Sequence, residues 1–399
     1  MIRKISILIA TLFICFYSIT IKAQSIKTKK ERNILTGASQ TEKYVPQLLK
    51  RRVALLVNQT AEINGVSLVD TLKNRGVDIK VIFGPEHGFR GDADAGEKVG
   101  NNIDQKTNIP IVSLYGSKEV PSQQDLKNID VLVFDIQDVG ARFYTYSITL
   151  FKVMQACADA KIPIMILDRP NPNANLIDGP ILETAFRSGV GANPIPIAHG
   201  LTMGEYAKMV NGQKWLKKGV QCKLEIIKNA YYNHWKAYTL PVKPSPNLPN
   251  NRSIYLYPSL CLFEGTVVSL GRGTLFPFQV IGHPSLKQIY NFSFTPISIV
   301  GMSKKPPLEN QECFGIDFRK VDEEQIRTRK QIDLALLIKI YNQYPDKENF
   351  FNPFFNKLVG NALLIKQIKN GKTEKQIRAS REPALTAYKT MRKKYLLYP

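Results

Sequence analysis

The chain has 399 residues, of which 44% are hydrophobic and 22% charged, and its formal net charge is +22. This length and apolar content exclude a disordered chain and favour two folded domains. The lysines and arginines are dispersed and accompany no zinc-finger spacing, helix-turn-helix pattern or RNA-binding signature. We therefore expect a basic surface that suits an anionic polymer, and no nucleic-acid partner.

The N-terminal residues have the pattern of a secretory signal. Arg3 and Lys4 precede an apolar stretch at residues 7–17, and Ala23 ends a candidate cleavage site. The apolar stretch is short for a membrane-spanning helix. We expect residues 1–24 to be removed, the mature protein to be periplasmic or secreted, and no stable membrane insertion after cleavage. An uncleaved anchor is the alternative.

Strand and helix patterns alternate from residue 53 onwards, after a basic linker at residues 25–52. Helical periodicity occupies residues 66–75, 146–160 and 203–211, with a helical turn at 122–127 and Thr202 as an N-cap. Apolar runs of strand length occupy residues 53–57, 77–83, 109–114, 131–134, 162–167 and 223–227. This alternation predicts an α/β fold with a Rossmann-like parallel sheet covered on both faces.

The composition of the chain changes at residues 240–249, where four prolines exclude a regular helix. We place a domain boundary there, between a Rossmann-like α/β domain at residues 53–239 and a smaller α+β domain at residues 240–399. The second domain has β-like runs at residues 297–301 and 314–318, and helices at 331–344 and 373–380. The cysteines of the mature chain lack metal or redox spacing and predict no structural disulfide; they are Cys157, Cys222, Cys261 and Cys313.

The glycine pattern of a dinucleotide site is missing. The first strand is followed by residues 58–62 (NQTAE) where a G-x-G-x-x-G turn would have to bind a pyrophosphate, and no P-loop pattern occurs. The predicted α/β domain is therefore not expected to bind a nucleotide.

Three polar clusters follow predicted parallel strands, at residues 84–97, 135–146 and 168–172. Ligands of open parallel sheets bind beyond the carboxyl ends of the strands, so the three clusters are expected to meet in one crevice. Each cluster alone also has a structural interpretation: Asp168 as the cap of a turn, Asp135 as the partner of Arg142, or Glu86 as a solvated loop residue. Their coincidence at one edge favours the functional interpretation.

Carboxyl groups at this edge point to hydrolysis of a sugar linkage, which needs an acid and usually a second carboxylate. Glu86, next to a proline at a strand end, is the best acid. Its partner stays open among Asp92, Asp94, Glu97, Asp135, Asp138 and Asp168, with the three residues of the Glu86 loop less favoured. The arginines and tyrosines of the clusters would suit a sugar that carries a carboxylate; they are Arg90, Arg142, Tyr144 and Tyr146.

Other polar residues have two interpretations each. His199 is expected near the same sheet edge, either in the site or as a structural histidine. In the second domain, Glu264 and Arg272 either reach across the cleft or pair with each other. His87, Asp92, Asp94 and His199 are conceivable metal ligands, but no His-x-x-x-His spacing supports them. We expect no metal and no cofactor.

Seven motifs together resemble the exo-β-N-acetylmuramidases of glycoside hydrolase family 171. The resemblance extends from residue 53 to residue 398. The motifs are GPEHGFRGDADAGE (84–97), FDIQDVGARFYTY (134–146), LDRPNP (167–172), IPIAHGLTMGEYA (195–207), PSPNLP (244–249), YPSLCLFEGT (257–266) and GRGT (271–274).

The resemblance implies a Rossmann-like domain and a smaller domain with the active site in the cleft between them. It implies release of terminal, non-reducing N-acetylmuramic acid from peptidoglycan fragments, with muramyl saccharides as ligands and Glu86 as catalytic residue. A catalytically silent peptidoglycan-binding protein and a metal-dependent esterase or amidase are the alternatives. Asp138 and Asp168 are candidate catalytic partners. The predicted substrate-binding residues are His87, Arg90, Asp135, Gln137, Arg142, Tyr144, Tyr146, Arg169, Asn171, His199, Asn247, Glu264 and Arg272.

Overall fold

The computed structural model describes residues 32–85 and 102–399. The residues Leu35–Pro399 form one compact unit, and the fold described below is that of this unit. The predicted signal at residues 1–24 lies outside the described residues, as does the segment 86–101. In the described part of the chain, no helix is both long and apolar enough to cross a membrane.

A seven-stranded sheet forms the first lobe, and its strands coincide closely with the apolar runs of the sequence. The strand order is β5-β6-β4-β1-β7-β8-β9, and only the short β5 is antiparallel. Apart from β5 this is the Rossmann order, which confirms the predicted fold class. The strands are β1 Arg52–Val57, β4 Asp78–Gly84, β5 Asn102–Ile103, β6 Pro110–Ser113, β7 Val131–Asp135, β8 Ile164–Leu167 and β9 Leu224–Ile227, and the strands β2 Glu62–Ile63 and β3 Val66–Ser67 form a separate hairpin.

Successive residues of the strands point to opposite sides of the sheet, and both sets are apolar, so both faces of the sheet are buried. In β1, Ala54 and Leu56 enter one core, whereas Val53, Leu55 and Val57 enter the other. The first core is covered by α3 Tyr146–Asp159 and α4 Met203–Gly212, and the second by α1 Thr41–Leu48 and α2 Leu68–Asn74. The helix α1 lies inside the predicted linker, where Tyr44 and Leu48 are fully buried and make it part of the fold.

A smaller lobe contains an antiparallel three-stranded sheet in the order β10-β12-β11. Its strands are β10 Val280–His283, β11 Phe292–Phe294 and β12 Cys313–Asp317, and its helices are α5 Asn251–Leu260, α6 Glu323–Arg327, α7 Leu334–Gln343, α8 Phe355–Val359, α9 Leu363–Lys369 and α10 Glu374–Lys393. The predicted strand at residues 297–301 is wrong: apart from a bridge between Ile299 and Ser303, these residues form a loop.

The last helix connects the two lobes. Tyr388 of α10 is buried in the core of the first lobe, and Tyr395 and Leu396 pack against that core. Val139, Ala141 and Phe143 in turn belong to the core of the smaller lobe. The four cysteines of the described residues are buried free thiols.

Candidate active site

Polar side chains fill the point where the strand order reverses, between β1 and β7. Asn58 donates from Nδ2 to the Tyr146 hydroxyl at 2.8 Å, and its Oδ1 accepts from the Thr60 hydroxyl at 2.6 Å. The Thr60 hydroxyl also accepts the backbone N–H of Gln137 at 3.0 Å. Sequence reasoning missed Asn58 and Thr60, although two polar residues directly after a buried strand were a usable signal. The network fixes Tyr146 at the edge of the crevice.

Asp135 and Arg169 form a buried ion pair at the same edge. The guanidinium binds the carboxylate with two nitrogens, and the Nη2–Oδ2 distance is 2.9 Å. Asp135 is fully buried and Arg169 is 4% exposed. Burial raises the pKa of Asp135, while Arg169 acts in the opposite direction. The pair fixes the ends of β7 and β8 relative to each other. The charged groups of Asp135 and Arg169 thus bind each other.

Asp138 and His199 lie together behind this edge, and both are almost fully buried. Asp138 Oδ2 accepts the backbone N–H of Gly140 at 2.6 Å and lies 3.7 Å from His199 Nε2. His199 Nδ1 accepts the backbone N–H of Leu201 at 3.1 Å, which leaves the proton of a neutral imidazole on Nε2, toward Asp138. These contacts agree with the structural interpretation of His199.

Asp168 is fully buried and holds three elements together rather than facing the crevice. Its carboxylate accepts from the Thr202 hydroxyl at 2.7 Å, the Gly204 N–H at 2.9 Å and the Tyr398 hydroxyl at 2.6 Å. Thr202 caps α4 as predicted. Burial, opposed by these hydrogen bonds, raises the pKa of Asp168 to about 6. The contacts thus indicate a structural role instead of the predicted catalytic one.

The raised pKa of Asp168 predicts a pH-dependent stability. The folded-state pKa exceeds the ordinary 3.8, so the folded protein binds this proton more readily than the unfolded chain. The stabilisation is present at low pH and is lost as the pH rises through about 6, with a total of ~3 kcal/mol. In urea unfolding, the stability of wild type relative to Asp168→Asn should therefore fall between acidic and neutral pH. Parallel pH profiles of the two proteins would contradict this.

The Arg142 guanidinium is hydrogen-bonded to backbone carbonyls of both lobes. The Arg142 guanidinium donates to the carbonyls of Pro180, Ile195, Leu358 and Val359 at 2.7–3.0 Å and is 1% exposed. Burial lowers its pKa to about 9, which still leaves it charged at neutral pH. These contacts indicate that Arg142 links the two lobes. The sequence had instead suggested that it binds the anionic group of a ligand.

Asn171 and Gln137 stabilise the loops around the crevice. Asn171 Nδ2 donates to the Leu201 carbonyl, and a Cβ on Gly140, which has a φ of +78°, would lie 2.3 Å from Asn171 Oδ1. Gln137 Nε2 donates to the carbonyls of Asp138 and Pro170. Both side chains are about as buried as Arg142. They shape the site from behind.

A cavity of about 200 Å³ lies between the two lobes. The first lobe contributes Tyr144 and Tyr146, and the smaller lobe contributes Asn247, Glu264 and Arg272. These five residues were all predicted for the site, and the structure brings them together. The remaining walls are Phe143, Thr145, Val190, Ser245, Leu248, Tyr257 and Phe278. The apolar residues among them carry no sequence signal that separates them from ordinary core residues.

Glu264 and Arg272 pair with each other on the wall of this cavity. Arg272 donates from Nε to Glu264 Oε1 at 2.7 Å, and its Nη2 lies 2.5 Å from the same oxygen. The guanidinium also lies over the Phe278 ring, 5.0 Å from its centre. Their side chains are 22% and 27% exposed, so the pair is accessible from the cavity.

A second, more open groove of about 560 Å³ lies along the proline-rich segment at residues 241–249. Residues 241–249 form no helix, as predicted, but they bend, and the Leu248 N–H closes a turn on the Ser245 carbonyl at 3.0 Å. Side chains of this segment line the cavity and the groove. Gln59, after β1, anchors this segment through hydrogen bonds to the carbonyls of Lys243 and Pro244. The groove is lined by Gln59, Pro241, Val242, Lys243, Pro246, Pro249, Leu275 and Met302.

Several predicted site residues lie outside the described residues: Glu86, His87 and Arg90, together with Asp92, Asp94 and Glu97. Their segment follows Pro85, which is buried after the end of β4. Within residues 32–85 and 102–399, no group of three His, Cys, Asp or Glu side chains is arranged to hold a metal ion.

The fold and the cavity define a two-lobed α/β protein with a small polar site between a Rossmann-order sheet and a smaller lobe. Sequence models of the exo-β-N-acetylmuramidase NamZ family match both lobes, the N-terminal model over residues 53–252 and the C-terminal model over residues 255–398. The chain belongs to this family. The first family model ends and the second begins near the start of α5, about a dozen residues after the boundary predicted at residue 240. The predicted domain boundary stays a prediction.

Three known proteins are similar over most of the chain. The peptidoglycan β-N-acetylmuramidase NamZ of Bacillus subtilis is 38% identical over 393 residues, which cover 93% of each protein. A crystal structure of a DUF1343 family protein from Bacteroides fragilis is 46% identical, with a TM-score of 0.86, and a second one is 27% identical, with a TM-score of 0.78. Each match covers 92% of this chain and 99% of the solved chain.

Proposed function

We propose that this protein is an exo-β-N-acetylmuramidase, a glycoside hydrolase that releases terminal, non-reducing N-acetylmuramic acid from peptidoglycan fragments. The observation that carries the proposal is the family match over both lobes, together with 38% identity to a peptidoglycan β-N-acetylmuramidase across 93% of the chain. The signal-like N-terminus supports action in the periplasm or outside the cell, where peptidoglycan is found.

The shape of the site supports exo action. The cavity between the lobes offers room for one sugar unit, and aromatic side chains such as Tyr144 and Tyr257 suit the apolar face of a pyranose ring. The open groove along residues 241–249 offers a path for the rest of the saccharide. A small pocket for the terminal sugar and a wider, more open groove beyond it favour cleavage at the chain end.

Glu86 is our candidate for the general acid that protonates the leaving oxygen. It follows β4, which adjoins β1 in the centre of the sheet, and it belongs to the family-like PEHG motif. Catalytic groups of such sheets come from the carboxyl ends of the strands, which supports this assignment. Glycoside hydrolysis by two carboxyl groups requires no cofactor.

Incubation with a β-linked disaccharide of N-acetylmuramic acid and N-acetylglucosamine tests the proposal. With N-acetylmuramic acid at the non-reducing end, we expect both monosaccharides to appear in the mass spectrum. The disaccharide of the reverse order is the control, and we expect it to stay intact because the pocket is specific for the terminal sugar. Equal hydrolysis of both would contradict the proposed specificity.

A further inference from the structure

We propose that Glu264 of the smaller lobe is the second catalytic carboxylate and acts as the general base on the attacking water. This inference rests on the proposed glycosidase function and goes beyond it, because it names a second catalytic group. It replaces Asp138 and Asp168, the partners that the sequence had suggested.

The carboxylates at the sheet edge are poorly placed for this role. Asp135, Asp138 and Asp168 are at most 3% exposed. Asp135 is engaged by the Arg169 guanidinium, and Asp168 accepts three hydrogen bonds. Asp138 faces the buried His199. None of the three lines the cavity between the lobes.

Glu264 is the carboxylate that lines this cavity within the described residues. It lies on a short 3-10 helix, Cys261–Gly265, in the lobe opposite the parallel sheet. Arg272 contacts only Oε1, whereas Oε2 has the weak contact of the Cys261 thiol at 3.7 Å. One oxygen therefore fixes the side chain, and the other is available to take a proton.

The surroundings of Glu264 suit a base beside a sugar ring. Burial raises the pKa of Tyr257 and of Cys261 well above their usual ranges, so both neighbours stay neutral. Arg272 balances the negative charge of the carboxylate in a largely enclosed wall. Tyr144 packs edge-on against Tyr257 at 5.9 Å between ring centres and completes the aromatic wall.

Glycosidases place their two carboxyl groups on either side of the scissile bond, and a wider separation leaves room for water. In the proposed step, Glu264 Oε2 takes a proton from a water molecule, and the water oxygen bonds to the anomeric carbon. The bond from that carbon to the glycosidic oxygen breaks, and the leaving oxygen takes a proton from the acid, for which Glu86 is our candidate. Atoms and charge balance, and the sugar leaves with inverted configuration.

The test compares Glu264→Gln with Asp317→Asn, a matched control. Asp317 also pairs with an arginine of the same lobe, Arg319, which binds both of its carboxylate oxygens, but it does not line the cavity. We expect Glu264→Gln to lower kcat on the disaccharide about 10³-fold, because a positioned base contributes about 10²–10⁴. The control should keep wild-type activity. Activity of Glu264→Gln within tenfold of wild type would overturn the proposal.

Chemical rescue separates a base from a merely structural residue. Azide is an anionic nucleophile that can replace water without being deprotonated. Added azide should therefore restore turnover in Glu264→Ala and give N-acetylmuramyl azide. Nuclear magnetic resonance of the first wild-type product should show the α-anomer. A folded Glu264→Ala variant without rescue, or a β-anomer as first product, would overturn the assignment. Inactivity of the wild type on the disaccharide would instead count against the proposed function.

Discussion

Replacement of Glu86 by glutamine is expected to lower kcat on the disaccharide by about 10³-fold, the contribution of a well-positioned general acid. The sugar alcohol is a poor leaving group, so its oxygen must be protonated as the glycosidic bond breaks. Glutamine has nearly the shape of glutamate but cannot supply that proton. Binding of the disaccharide should therefore change little, and isothermal titration calorimetry can measure it.

The leaving group gives the sharper readout. In a 2,4-dinitrophenyl muraminide, the dinitrophenolate leaves without being protonated. Glu86→Gln should therefore hydrolyse this substrate at close to the wild-type rate. Glu119→Gln, at an exposed glutamate of the same lobe that pairs with Lys152, is the control and should remain active on both substrates. Equal loss of both activities in Glu86→Gln would mean that Glu86 is not the acid.

Replacement of Arg142 by methionine should have the largest effect on folding. It removes the donor for four buried carbonyl groups, two on the first lobe and two, Leu358 and Val359, at the end of α8. Each buried acceptor without a partner costs about 1–3 kcal/mol, so we expect a loss of at least about 4 kcal/mol in the free energy of unfolding. Urea denaturation followed by circular dichroism measures this.

Arg52→Met is the control for Arg142→Met. Arg52 pairs with Asp130, but their side chains are 43% and 37% exposed, so its loss should cost about 1 kcal/mol or less. If Arg142 instead binds the anionic group of a substrate, Arg142→Met would keep its stability and raise KM. That result would restore the role that the sequence suggested.

The parallel sheet was predictable because each strand is a continuous apolar run between turn residues. Residues 53–57 and 131–134 became the central strands β1 and β7 within one residue. The smaller lobe was harder, because β11 and β12 are only partly buried and form no continuous apolar run. Thus the strand expected at residues 297–301 is a loop, while β10 and β11 had no clear signal.

The roles of single residues were harder to predict than their places. Asp168 follows its strand as expected, but its burial depends on Tyr398, 230 positions further along the chain. The return of α10 to the first lobe brings that tyrosine into place, and no local pattern announces it. Glu264 and Arg272 could be recognised as a pair, but only the packing of the two lobes places that pair on the wall of a cavity.

The mass spectrum of the products that wild-type protein forms from the disaccharide with N-acetylmuramic acid at its non-reducing end tests the central claim most directly. The account predicts free N-acetylmuramic acid and free N-acetylglucosamine in equal amounts. An intact disaccharide, bound by the protein but not hydrolysed, would contradict it and leave a peptidoglycan-binding protein in place of a glycosidase.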